Sequence, residues 1–228
     1  MAATFTWLGH GTWLLETGDH RALLDPFLTG NPSATTAAED YDNIEHIFVS
    51  HGHSDHVSDV VSIAQRCDST VIAMLEAAGW FESQGVSKTV GMNLGGTFAL
   101  PYGTIKMVPA LHSASMPDGS YGGVPAGFVI TIDDRKIYFA CDTALFGDMQ
   151  LIGAAGIDIA VLPIGDHFTM GPTDSIEAIK LIQPNRVVPA HYNTWPPITQ
   201  DALAWAENVR SQTKAEPVVL EVGGQIEL

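Results

Sequence analysis

The apolar run from Ile44 to Ser50, IEHIFVS, is followed at once by His51-Gly-His53-Ser-Asp55-His56 and then by an apolar-periodic stretch from Val57 to Gln65. The unit reads as strand, loop and helix, so four metal-type donors fall within six residues at the carboxyl end of a strand. With nine histidines in 228 residues, an HxHxDH pattern arises by composition about one time in a thousand. In an extended loop residues two apart point to the same side, so His51 and His53 can share one ion. Asp55 and His56, at the turn into the helix, address a second. The alternative, a solvated polar turn with accidental histidines, leaves this density of donors without a reason.

Three further donors stand just past apolar runs: His112 in PALHS, Asp142 in FACDT and His191 in VPAHYN. A strand end fixes the backbone from which a ligand projects, as a metal site requires. Taken singly, each histidine reads as an ordinary satisfied side chain; beside the HxHxDH motif they complete two ligand sets. Counting donors puts His51, His53 and His112 on one ion, Asp55, His56 and His191 on the other, and Asp142 between them. A bridging carboxylate of this kind goes with ions about 3.5 to 4 Å apart, the two-metal arrangement used for hydrolysis. The expected cofactors are therefore two divalent transition-metal ions, zinc foremost, with manganese and iron suited to the same imidazole and carboxylate donors.

The rest of the chain alternates short β-rich runs with amphipathic stretches. Thr4–Leu8, Thr12–Glu16 and Arg21–Asp25 read as an antiparallel meander, and TVIAM, GFVITI, KIYFAC, IDIAVLP, RVVPA, VVLEV and QIEL as later strands. Helices are expected at Leu75–Gln84, Leu145–Ala154, Thr173–Gln183 with Thr173 as a cap, and Thr199–Ser211. No linker interrupts the sequence, so residues 1–228 read as a single α/β domain. Its halves, roughly 1–115 and 116–228, repeat one grammar, which predicts two packed sheets with helices outside.

Ten Lys and Arg against 26 Asp and Glu give a formal charge of −16, a field that repels phosphate backbones and anionic bilayers. The expected partner is a small-molecule substrate, with no nucleic acid and no membrane; self-association is left open. No run approaches the roughly 18 apolar residues of a membrane span, and the start of the chain lacks the charged, apolar and small-residue zones of a signal peptide, so a cytoplasmic address is expected. Cys67 and Cys141 are too few for a disulfide framework and are expected to be reduced.

HGHSDH, His112, Asp142 and His191, in that order and in those strand contexts, resemble the metallo-β-lactamase superfamily. More narrowly, WLGH, LLDPFLTGNP, SHGHSDH, ACDT, FTMGP and PAHYNTWP are similar to segments of a group of bacterial and archaeal metal-dependent hydrolases in that superfamily, related to lactonases that act on ascorbate phosphate and on acyl homoserine lactones. The match spans almost the whole chain. It implies a four-layer αββα sandwich with the metal site at one edge, between the sheets. It also implies that Asp25 is the superfamily's early aspartate, which orients the HxHxDH loop; an Asp before Pro that merely starts a turn is the competing reading.

The function this implies is metal-dependent hydrolysis of an ester, lactone or phosphodiester by hydroxide bound to both ions, with Asp55 and Asp142 holding the nucleophile. His167, in the loop IGDHFTMGP, is the candidate donor to a substrate oxygen, and His10 in LGHG a second one. Asn31 and Tyr192 carry no assigned role, and His20 and His46 read as structural. Two other classes share this fold or this chemistry. Di-iron redox proteins replace some histidines by carboxylate and add an electron-transfer domain, neither of which is seen here. A metal-stabilised binding protein would close its coordination positions, whereas seven ligands shared by two ions leave room for water.

Overall fold

In a computed structural model describing residues 3–228, the first β-rich runs form the expected meander. Strands β1 (Ala3–Trp7), β2 (Trp13–Thr17) and β3 (His20–Leu24) pair antiparallel in that order. The next three, β4 (His46–Phe48), β5 (Thr70–Met74) and β6 (Thr89–Met92), add in parallel. Parallel neighbours need a crossover, and helices supply it: α1 (Ser54–Val57) and α2 (Val60–Cys67) before β5, then α3 (Leu75–Ser83) before β6. The helix expected at Val57–Gln65 is split in two. The division falls at Asp59, whose carboxylate turns away to accept the backbone N–H groups of Leu28 and Thr29 at 2.6 and 2.9 Å.

The second sheet repeats the plan. Strands β7 (Thr97–Leu100), β8 (Gly103–Pro109), β9 (Ala126–Ile132) and β10 (Arg135–Phe139) run antiparallel, and β11 (Ile159–Pro163), β12 (Arg186–Ala190) and β13 (Glu216–Pro217) continue in parallel. Helices α4 (Met149–Gly153), α5 (Pro172–Ile182) and α6 (Ala202–Gln212) belong to this half. The last strand, β14 (Gln225–Glu227), returns to the first sheet beside β1, so each sheet has seven strands. The chain changes sheets between Met92 and Thr97, earlier than a boundary near residue 115 suggests, because a turn with Gly95 at φ +86° reverses it into the β7–β8 hairpin.

Local differences from the sequence reading have local causes. Helix α5 starts at Pro172 behind Gly171 rather than at a Thr173 cap, since proline at the first position gives up an N–H that has no helical partner. The start of α6 is set by Asp201, whose side chain accepts from the N–H groups of Leu203 and Ala204 at 3.0 and 2.9 Å. In the VVLEV run only Val218 reaches a strand, through its N–H to the Val187 carbonyl at 2.8 Å, and β13 ends before it.

The architecture is the four-layer αββα sandwich. β11 is buried at every position, as a parallel strand covered on both faces should be. Between the sheets, Phe5 and Trp13 meet Phe139 at centroid distances of 5.6 and 5.7 Å, and Phe48 meets Phe128 at 6.3 Å. Truncating such a ring to Ala costs about 3–5 kcal/mol, so this seam holds the two sheets in the register on which the site depends. Among the described residues no helix is long and apolar enough to cross a membrane.

Candidate metal centre

Every sequence-predicted donor except those on α1 follows a strand, and at several of these strand ends the backbone makes an unusual turn. His10, Asp25, Cys141 and His191 take φ values of 53°, 45°, 53° and 53°, left-handed conformations that cost a non-glycine residue about 1–3 kcal/mol each unless their surroundings fix them. The turn swings the chain out of the sheet and over its carboxyl edge. There the loops bind one another. Asp25 N–H donates to the Phe48 carbonyl at 2.9 Å, His191 N–H to the His10 carbonyl at 3.1 Å, and Leu111 N–H to Thr143 Oγ1 at 2.9 Å. Gly52, between the two leading histidines, is required by packing: a Cβ there would lie 2.8 Å from the Ser115 carbonyl oxygen in the loop that carries His112.

This scaffold gathers the seven donors into two adjoining clusters. Ligand atoms of His51, His53 and His112 lie within 4.8 Å of one another, and so do those of Asp55, His56 and His191, joined by His10. Asp142 Oδ2 stands between the clusters, 3.6 Å from His112 Nε2, 3.4 Å from His56 Nε2 and 3.0 Å from His191 Nε2. The second cluster thus takes in His10, which the donor count did not place there, and Asp142 falls between the clusters rather than in either.

Hydrogen bonds decide which ring nitrogens remain free. Asp25, 1% exposed, accepts Ser50 N–H on Oδ1 at 2.7 Å, and on Oδ2 it accepts the Ser50 hydroxyl at 2.6 Å and His56 Nδ1–H at 2.9 Å. With its proton given to Asp25, Ser50 Oγ accepts from His51 Nδ1–H at 2.9 Å. In their neutral forms both imidazoles therefore turn Nε2 towards the other donors, where His51 Nε2 meets His53 Nδ1 at 3.0 Å and His56 Nε2 has no hydrogen-bond partner. Asp25 also falls in a cluster with His51 and His56, but these bonds occupy its oxygens, so it orients ligands rather than acting as one.

Buried side-chain nitrogens without a hydrogen-bond partner include His56 Nε2 and both ring nitrogens of His191, whose Nε2 lies near Asp142 but out of alignment with it. Unpaired buried polar atoms are costly and rare, and a cation satisfies lone pairs converging in this way. The donor set fits a divalent metal.

The electrostatics agree. Burial, assisted by neighbouring imidazoles, pushes the His51 pKa well below its usual value, and burial likewise lowers His53 and His112, so all three imidazoles are neutral at pH 7, the form that can bind a metal. Burial favours the neutral form of Asp142, but His191 and His56 outweigh it and hold this carboxyl well below the ordinary range. For His56, burial opposes charge and is outweighed by Asp142 and Asp25, which raise its pKa well above normal. That proton occupies the place of a cation, and metal binding would displace it.

The remaining candidates separate clearly. His10 is fully buried behind the second cluster. Its Nε2 is 3.1 Å from Asp55 Oδ2, its Nδ1 is 2.7 Å from Thr194 Oγ1, and its ring lies 3.9 Å from that of His191. Burial first, then His191, pushes its pKa down to about 4. It thus braces Asp55 and does not line the cavity. His167 is exposed and also lies off the cavity; its ring packs edge-on against Phe168, which does line it. Asn31 bonds within its own loop, to the Phe27 carbonyl and the Ser33 N–H, and Tyr192 stacks on Trp7. His20 pairs with Glu45 and His46 with Tyr102, away from the centre. Cys67 and Cys141 are free thiols. Ser50, Thr143 and Thr194 carry supporting roles that sequence reasoning missed; Ser50 was the accessible one, lying directly between a strand and the first ligand.

A cavity of about 720 Å³ opens over the donors, lined by His53, Asp55, His112, Asp142 and His191 on its floor and by Phe27, Thr29, Ser54, Ser58, Ser113, Phe168, Trp195 and Pro197 around them.

Residues 20–192 match the family described as the beta-lactamase superfamily domain. A UPF0173 metal-dependent hydrolase of Thermus thermophilus is 48% identical over 206 residues, 90% of this chain and 91% of that protein. Another, from Pelotomaculum thermopropionicum, is 45% identical over 98% of this chain and 99% of its own. Among solved structures, Igni18, a metallo hydrolase from the hyperthermophilic archaeon Ignicoccus hospitalis, superposes with a TM-score of 0.91 at 33% identity, covering 100% of this chain and 99% of that one. Fold, donor clusters and sequence kinship lead to one conclusion: the chain belongs to the β-lactamase superfamily, within its UPF0173 group of metal-dependent hydrolases.

Proposed function

We propose that the seven donors hold two divalent transition-metal ions, zinc foremost, and that the protein hydrolyses a small-molecule ester, lactone or phosphodiester. When bound, such a pair supplies a water acidified towards neutrality as the nucleophile and polarises the scissile oxygen. The chain's own groups do the rest. Asp25 and Ser50 fix the tautomers of His56 and His51, His10 braces Asp55, and Asp142 keeps its charge between the clusters. Asp55 and Asp142 line the cavity and face any substrate that enters. The observation that carries this reading is the pair of unpartnered buried Nε2 atoms, of His56 and His191, beside Asp142. A charge of −16 and a cavity of about 720 Å³ favour a small molecule over a polynucleotide.

The test is a panel of ester, thioester, lactone, phosphodiester and β-lactam substrates, run on protein stripped by chelation and then restored with zinc, manganese or iron. Hydrolysis that vanishes on chelation and returns with metal is expected. Hydrolysis that persists without metal would refute the reading.

A further inference from the structure

The wall of the cavity is chemically lopsided. The floor holds every charged group, Asp55 and Asp142 among them, while the sides carry Phe27, Phe168, Trp195 and Pro197 with only hydroxyls between. Phe27 and Trp195 form one aromatic side, with centroids 6.0 Å apart, and Trp195 is anchored edge-on to the buried His10 ring at 4.9 Å. Phe168 stands on a tight turn, closed by Thr169 N–H to the Asp166 carbonyl at 2.6 Å, and remains 51% exposed at the cavity. With Phe27, Trp195 and Pro197 it makes the walls predominantly apolar, the lining by which a cavity of this size holds the apolar part of a ligand.

None of the chain's ten Lys and Arg residues lines this cavity. Several are engaged elsewhere: Arg21 with Glu16, Arg66 with Asp42, Lys88 with Asp68, Arg135 with Asp158 and Lys180 with Glu177. Sites that take phosphate or carboxylate groups place Arg or Lys on them, often in bidentate contact. Here nothing on the walls would neutralise an anion away from the metal floor.

Resting on the hydrolase reading above, we infer that the substrate is an uncharged carboxylic ester or lactone whose acyl side bears an apolar, preferably aromatic, group, and that anionic substrates, phosphodiesters included, are disfavoured. The carbonyl sits over the donors and the apolar group lies between Phe168 and the Phe27–Trp195 side. Water adds to the carbonyl carbon, the acyl C–O bond breaks, and a carboxylate, an alcohol and one released proton result.

The test uses the full metal-loaded chain and p-nitrophenyl esters that differ only in the acyl group: acetate, phenylacetate and monosuccinate, with bis(p-nitrophenyl) phosphate alongside. kcat/KM for phenylacetate should exceed that for acetate by about a hundredfold, the scale on which an apolar pocket discriminates. The succinate ester and the phosphodiester should fall well below phenylacetate. Phe168→Ala and Trp195→Ala should each shrink the phenylacetate-to-acetate ratio by about tenfold. A ratio near one, or a preference for either anionic substrate, overturns the inference while leaving hydrolysis intact. If the loaded protein turns over none of them, the hydrolase reading is what fails. The inference is then judged by calorimetric binding of phenylacetamide against 4-carboxyphenylacetamide, with tighter binding of the neutral compound expected and equal or reversed binding overturning it.

Discussion

Replacing Asp25 by Asn exchanges one oxygen for an NH2 group in a side chain that is 1% exposed and accepts three hydrogen bonds. The amide cannot accept all three. Whichever way it turns, its NH2 faces a donor: either the Ser50 N–H, or the Ser50 hydroxyl together with His56 Nδ1–H. His56 escapes the second clash only by moving its proton to Nε2, the atom that faces Asp142 and Asp55 at 3.4 and 3.8 Å. Loss of a bond to a charged acceptor is worth about 1.5–3 kcal/mol. Removing a partner that orients a metal-bound histidine lowers metal affinity about 10–100-fold, or about 1.4–2.7 kcal/mol. The two ranges overlap, so Asp25→Asn should weaken the ion held by His56 by one to two orders of magnitude. Ser50→Ala instead removes the acceptor of His51 Nδ1–H and one of the donors to Asp25 while keeping the His56–Asp25 bond, so its main loss, about tenfold, should fall on the His51 ion. Competition titration against a chromophoric chelator resolves the two affinities, and circular dichroism of the metal-free variants controls for folding. A folded Asp25→Asn protein that binds both ions as tightly as the parent, or two variants that weaken the same ion equally, would refute the reasoning.

Asp142→Ala should weaken both ions by at least about tenfold, whereas His191→Ala should act mainly on the one shared with Asp55 and His56; the same titration distinguishes them. His10→Ala leaves Thr194 and Asp55 without a buried partner, so thermal melting should show a loss of about 1–3 kcal/mol and turnover should fall with it. His167→Ala should leave kcat/KM within about twofold, because the ring is exposed and off the cavity; a drop of roughly a hundredfold, the effect of losing an oxyanion donor, would place it on the substrate after all.

The candidate donors stand out in the sequence because each is a residue of unmistakable chemistry just past an apolar strand or, for Asp55 and His56, on the short helix that follows one, and a strand end leaves little freedom in where the chain goes next. TVIAM and RVVPA coincide with β5 and β12 for a related reason: parallel strands buried on both faces read as unbroken apolar runs. What stayed hidden depends on contacts between distant segments. Nothing near His10 shows that it will meet Asp55, 45 positions away, or Thr194, 184 positions away. His167 has the same local setting as the clustered candidates, after β11, yet the turn through Asp166 at φ 68° puts Phe168 rather than the imidazole on the cavity. The sheet change before β7 and the return of β14 to β1 are pairing choices made by partners far along the chain, to which hydrophobic periodicity is blind.

The central claim is that these seven side chains form one site for two ions. Anomalous diffraction at the metal absorption edge, from crystals of the metal-loaded protein, tests it most directly. The account predicts two peaks about 3.5–4 Å apart, one among His51, His53 and His112 and the other among Asp55, His56 and His191, with Asp142 between them. A single peak, or a second peak outside these residues, would contradict it.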